Sequence, residues 1–193
     1  SYTVSLSKEI DGVLTQLAAP KTFEVVPLRK GALPGASADE LAAFRVEMET
    51  LQGALSATSY LLDNSMKKVN AMQLALERSR TESASLTQQL HDLKNTLYDM
   101  EELMNGNAAK NEIGERSAPT IRGRMFVGFR GMSTTYGPTA THKESVKIAM
   151  SELSKMNADL EKISGDQIPA LEEELAKAGA PWIEGQALPK GNK

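Results

Sequence analysis

The feature that most constrains this chain is an apolar stripe running from Leu41 to Met104. Every seventh residue from Leu41 gives Leu41, Met48, Leu55, Leu62, Val69, Leu76, Ser83, Leu90, Leu97 and Met104. An interleaved register gives Phe44, Leu51, Thr58, Ser65, Met72, Ser79, Leu86, Leu93 and Met100. Alternating three- and four-residue spacing places both sets on one side of a helix, the pattern of helices that pack in a bundle or coiled coil. No proline and one glycine (Gly53) interrupts the segment. The polar positions Ser79 and Ser83 fall together, so the stripe is two apolar runs joined by a weak patch.

That patch decides the architecture. The heptad stays in phase across residues 79–85, which suits one helix of about 100 Å. Yet Ser and Thr dominate it and compete for backbone hydrogen bonds, which favours a turn. Ser85-Leu86-Thr87-Gln88 also offers a capping box, so the pattern predicts helices over about 38–78 and 85–105 with a turn between. Ser37-Ala38-Asp39-Glu40 caps the first, and Asn105-Gly106 ends the second. The methionines of the stripe (Met48, Met66, Met72, Met100, Met104) read as core filling.

The flanks complete a mainly α chain: an antiparallel three- to four-helix bundle with long helices, preceded by a small β-hairpin or three-strand remnant. Tyr2, Val4 and Leu6 alternate with polar residues, and Asp11-Gly12 signals a tight hairpin turn. Val13 to Leu17 returns, and Pro20 sets off a third run at Thr22–Val26. Few strands stand alone, so these are expected to lean on the helices, pair with a copy, or belong to a sandwich whose other strands lie outside this sequence. The chain opens on Ser1 within a strand-like run, which reads as a piece of a longer polypeptide. Residues 1–28 are thus a strand remnant, 29–36 a linker, 37–182 the bundle and 183–193 a tail.

After Gly106 a polar mobile loop is expected over 106–117. Pro119 opens a short, glycine-weakened helix carrying Ile121, Met125 and Phe129 on one face, followed by a loop from Thr134 to Pro138. Thr141-His142-Lys143-Glu144 is a further capping box. Val146, Ala149, Leu153, Met156, Leu160 and Ile163 then keep the bundle spacing, while Ile168, Leu171 and Leu175 resume one residue out of phase. Gly165 and Pro169 mark a kink between them. Gly179 ends the helix, and Trp182 is expected to fold back on the bundle end.

Few residues carry a signal for chemistry. The net charge of −3 and a pI near 5.5 disfavour an electrostatic nucleic-acid binder. No apolar run reaches the roughly 20 residues of a membrane span, so neither nucleic acid nor membrane insertion is expected. Arg122-Gly123-Arg124-Met125-Phe126-Val127-Gly128-Phe129 matches an RNA-recognition octamer at several positions, but Arg124 stands where a base-stacking aromatic belongs. A short basic helix capping an acidic bundle is the preferred reading of that stretch. With a turn near Ser79–Ser85, the 106–140 segment is expected to cover the part of the first helix that the shorter second helix leaves bare. His91 and His142 have no ligand-spaced partners, so no metal or other cofactor is expected. Glu101-Glu102 and Glu172-Glu173-Glu174 read as solvated faces, and no catalytic residue is assigned. Arg122, Arg124 and Arg130 are the candidate partner-binding residues, beside loops 106–118 and 132–140 at one end of the bundle.

Three stretches together carry a resemblance: Ser1–Lys8 with Thr22–Leu28, then Ser117–Arg122, then Ile168–Glu172 with Ala178–Trp182. In this order the chain resembles the C-terminal region of large bacterial sortilin-like, BNR (Asp-box) repeat proteins, often labelled glycosyl hydrolases. The resemblance implies an upstream β-propeller, and it implies that residues 1–28 remain from an immunoglobulin-like sandwich. The helices would be a non-catalytic accessory module of an exported protein, periplasmic or secreted, that packs on the propeller or self-associates. A weak homodimer through the strand edges belongs to the same expectation. The alternative is a protein- or glycan-binding module built on the two loops.

Overall fold

A computed structural model describes residues 1–26, 31–79, 83–183 and 186. Parts of the expected linker (27–30), of the central turn (80–82) and most of the expected tail lie outside the described residues. The chain divides into two compact units, Ser1–Pro34 and Gly35–Lys193.

The first unit is a two-stranded antiparallel ribbon, β1 (Tyr2–Ile10) and β2 (Val13–Phe23). Asp11 and Gly12 both have positive φ, 51° and 76°, which suits the two-residue primed turn that the right-handed twist of the strands favours. The expected break at Pro20 does not occur, and there is no third strand at Thr22–Val26. Val4 pairs with Lys21, Leu6 with Ala18 and Ser7 with Gln16, so β2 carries an extra residue at two successive steps. Pro20 falls in the first of these bulges, where its missing N–H interrupts no ladder bond. Tyr2 and Phe23 stack across the open end, 5.9 Å between ring centroids.

The second unit is helical: α1 (Ala38–Glu77), α2 (Ala84–Asn105), α3 (Ala108–Glu112), α4 (Ile121–Ser133), α5 (Ala140–Lys162), a π-turn (Ile163–Gln167) and α6 (Ile168–Lys177). At 40 residues, α1 is about 60 Å long and is the mast on which the rest is mounted. Its seam is buried as the heptads require: Phe44, Met48, Leu51, Leu55, Thr58, Leu62, Ser65, Val69 and Met72. The expected turn is made, and α2 runs back along α1. Lys94 Nζ lies 3.1 Å from Gln73 Oε1, and farther along, Ser59 Oγ donates to Met104 Sδ at 3.1 Å. The α2 cap is Ser83, whose side chain accepts from Leu86 N, two residues before the Ser85 that the sequence pattern selects.

Because α2 is shorter than α1, it leaves the N-terminal half of α1 uncovered. The α4 helix covers that half, antiparallel to α1 like α2 before it. Its Arg122 reaches Ser59, while Gly128 lies against Met48 near the start of α1. Thus α4 does not cap the bundle end but supplies the second half of the middle leg. The segment between the halves holds a short helix, α3, capped by the Asn107 side chain, where a mobile loop was expected.

The third leg is α5, the π-turn and α6, running parallel to α1. Lys143 pairs with Glu40, Asn157 meets Thr58, and Lys68 pairs with Glu172. The α5 cap is Thr139 rather than Thr141. His142 supplies the reciprocal bond that an N3 carboxylate usually makes, with its Nδ1 accepting from Thr139 N at 3.1 Å. The expected kink takes the form of the π-turn, in which Ile168 N donates to Ile163 O. One extra residue per turn is the phase slip between Ile163 and Ile168, so both apolar runs stay buried. At the end of α6, Gly179 N donates to Ala176 O and Ala180 N to Leu175 O, a Schellman ending. Ile183 is buried beyond it, whereas Trp182 stays 52% exposed.

Gly128 shows why the glycines of α4 do not merely weaken it. A Cβ there would come within 2.5 Å of Val146 Cγ2 and 2.6 Å of Met48 Sδ. The helix therefore lies in contact with α1 and α5 at once, and Gly131 does the same against the His142 ring.

Candidate functional site

The three candidate arginines lie on α4, which Thr120 caps by accepting from Gly123 N. At 100° per residue, Arg122, Phe126 and Arg130 share one stripe, while Arg124 points the other way. Arg122 Nε donates to Asn105 Oδ1 at 2.7 Å and its Nη2 to Ser59 Oγ at 3.3 Å, tying α4 to the end of α2 and the middle of α1. Arg124 Nε lies 3.2 Å from Glu152 Oε2 on α5. The approach is not straight enough for a hydrogen bond, and neither atom has another partner, so the pair is Coulombic. Arg130 lies over the Phe126 ring at 4.9 Å, a cation–π contact within α4. The octamer that resembled an RNA-binding strand is thus a helix.

The two loops flank α4 at opposite ends. With 13 residues the helix holds them about 20 Å apart. The 106–118 segment lies by the end of α2, where Lys110 pairs with Glu102 at 3.1 Å. The other loop lies by the start of α1, where Ala36 N donates to Tyr136 O at 2.8 Å. They do not form one surface at one end of the bundle.

The remaining titratable candidates are held by neighbours. His142 serves as cap, and His91 Nε2 is 3.0 Å from Asn95 Nδ2. The Ser37 backbone N–H holds the Glu40 carboxyl below the usual glutamate range, with help from the Lys143 charge and the Ser37 hydroxyl. Lys110, then Asn107, does the same for Glu102. Among the described residues, no group of three His, Cys, Asp or Glu could hold a metal ion, and no helix is long and apolar enough to cross a membrane.

Glu40 gives a pH prediction. Its folded pKa is depressed, so its contribution is present above the unfolded value, about 4.3, and is lost as pH falls through the lower folded one. Acidification below about pH 4 should loosen the first turn of α1, read as lower protection factors for the Leu41 to Phe44 amides relative to their intrinsic exchange at each pH. Glu40→Gln should flatten that response. An unchanged pH profile in the variant would remove Glu40 from the account.

Sequence reasoning missed the tie between Thr58 and Asn157, 2.6 Å apart between α1 and α5. Thr58 is 4% exposed and has one proton with two acceptors in reach, Ala54 O at 2.8 Å being the other. Turning the Asn157 amide satisfies both: Nδ2–H donates to Thr58 Oγ1, and the hydroxyl proton goes to Ala54 O. A threonine at a seam position was the available signal, because a buried hydroxyl needs a partner.

No protein-family model, no curated protein and no solved structure matches this chain.

Proposed function

We propose that the helical unit is a non-catalytic accessory module whose work is assembly, by packing or by self-association. The observation that supports this most directly is the use made of its polar side chains. Arg122, Arg124, Asn157, Lys68 and Glu172 each join two or more helices. Groups spent on fixing helices together are poor candidates for binding or transforming a ligand. The resemblance in Ser1–Lys8 with Thr22–Leu28, in Ser117–Arg122, and in Ile168–Glu172 with Ala178–Trp182 implies that this module follows a β-propeller in an exported, glycosyl-hydrolase-like protein. On that reading the propeller is its first partner, and the strand edges of the ribbon add a weak homodimer contact.

The arginines test the proposal. Arg122→Ala and Arg124→Ala should each lower stability by about 0.5–1.5 kcal/mol in thermal melts, the usual net worth of such ties. Arg130→Ala, whose contact stays within α4, should change it by less than about 0.5 kcal/mol. If all three left the melt alone and abolished binding to a glycan array, the residues would belong to a binding site and the proposal would fail.

A further inference from the structure

The outward side of α1 carries a second stripe, opposite the buried seam. Ala43, Val46, Thr50, Gly53, Ala57, Tyr60, Asn64, Lys67, Ala71 and Leu74 follow the same three- and four-residue spacing. Its large members are bare: Val46 is 62% exposed, Tyr60 71% and Leu74 46%, while Asn64 and Ala71 are half-buried at its edge, Ala71 against the core. Lys67 is its only charge, and the Thr50 hydroxyl is turned back onto Val46 O at 2.8 Å. An ordinary solvated helix face looks different. On α5 the exposed side bears Lys143, Glu144, Lys147, Lys155, Asp159, Glu161 and Lys162.

We infer that this face of α1 binds a second copy of itself, antiparallel, about a two-fold axis through Tyr60. This rests on the self-association branch of the proposed function and names its surface. Five of its positions, Val46, Gly53, Tyr60, Lys67 and Leu74, map onto one another about Tyr60. In that register Val46 lies opposite Leu74 of the second copy, and Lys67 lies opposite its Gly53, within one turn of its Glu49. The acidic residues beside the stripe, Glu49, Asp63 and Glu77, fall opposite Ala71, Ala57 and Ala43 of the other copy. Lys67, Glu49, Asp63 and Glu77 thus each meet a short side chain, and Lys67 comes near Glu49 of the other copy. An isologous contact requires such self-complementarity, with residue i meeting j and j meeting i.

The size of the face sets the strength. From Val46 to Leu74 the helix rises about 42 Å, and a helix is about 12 Å wide, giving roughly 500 Å² per copy. The total of roughly 1,000 Å² sits at the lower edge of specific interfaces, so a reversible dimer is expected rather than an obligate one. A parallel pairing would set like positions side by side, Lys67 against Lys67, and loses both that correspondence and the charge match.

The test uses the full chain, which has no cysteine of its own. Tyr60→Cys should give a disulfide-linked dimer under mild oxidation, because the two-fold axis brings the two residues together. Ser151→Cys, on the outer side of α5 and exposed, should stay largely unlinked. In sedimentation equilibrium the Val46→Glu, Tyr60→Glu variant should dissociate at least about tenfold more readily than the native chain, with an unchanged helical signal. A dimer that survives this variant and fails to link through residue 60 overturns this face but leaves self-association standing. A native chain that stays monomeric up to about 100 µM overturns the homodimer, while the arginine melts still judge the non-catalytic reading on their own.

Discussion

Leu55→Ala should cost about 2–5 kcal/mol of stability, and Leu93→Ala a similar amount. Both side chains are buried, at 2% and 6% exposure, and each lies on the seam joining α1 to another leg. Truncation removes apolar contact and leaves a cavity that stiff neighbouring helices close only in part. Glu49→Ala and Gln89→Ala, within two turns on exposed faces, should stay within about 0.5 kcal/mol. Since a whole domain is stable by about 5–15 kcal/mol, the first pair consumes a large share of the margin. Chemical denaturation of the four variants would show it as a separation in midpoint at constant slope. Equal midpoints would mean that the heptad does not mark the core.

A sharper contrast is expected from single-residue deletions in the third leg. In a Pro169→Ala background, deleting Gly165 should leave the melting temperature nearly unchanged or raise it; with Pro169 kept, its ring would press on the carbonyl four residues back in a continuous α-helix. The π-turn holds one residue more than an α-helix needs there, so its loss lets the leg run as continuous α-helix with Ile163 and Ile168 in phase. Removing a helix-interior glycine also helps by up to about 1 kcal/mol. Deleting Ser154 has no such remedy. It rotates one half of α5 by about 100° relative to the other. Either Val146, Ala149 and Leu153 leave the core, or Met156, Leu160 and Ile163 do. Losing three buried side chains exceeds about 5 kcal/mol, enough to unfold the unit. Circular dichroism melts of the two deletions would decide it. A Gly165 deletion that unfolds the Pro169→Ala protein would show that the π-turn is required rather than accommodated.

The seam was legible because burial acts through periodicity, and periodicity is written in the order of residues. Positions 44 through 72 are buried at each predicted step, the polar Thr58 and Ser65 included. Even the slip between Ile163 and Ile168 was visible as a change of phase, though not as a π-turn. Caps were less legible. Ser83 and Thr139 stand two residues before the chosen Ser85 and Thr141, and His142 does the work usually given to a glutamate. Several adjacent Ser and Thr residues offer nearly equal caps, and tertiary contacts choose among them.

That the segment after α2 would cover the bare part of α1 followed from the helix lengths, but the side-chain packing of α4 there did not. Gly128 reads as helix-weakening until Met48 and Val146 are seen on either side of it. Arg122 and Arg124 read as two members of one basic patch until the helix turns them toward different neighbours. Pro20 reads as a strand break until the bulge in β2 absorbs it. In each case the deciding partner lies far away in the chain, where local propensity carries no information.

The polar side chains of α4 hold helices together. A double-mutant cycle on Arg124 and Glu152, using Arg124→Ala, Glu152→Ala and both, measures that directly. The side chains are 22% and 28% exposed, so the pair is only partly screened by solvent, and a coupling near 1 kcal/mol is expected in equilibrium unfolding. Single variants that are each neutral, with a coupling of zero, would show that Arg124 is free for another partner and would contradict the account.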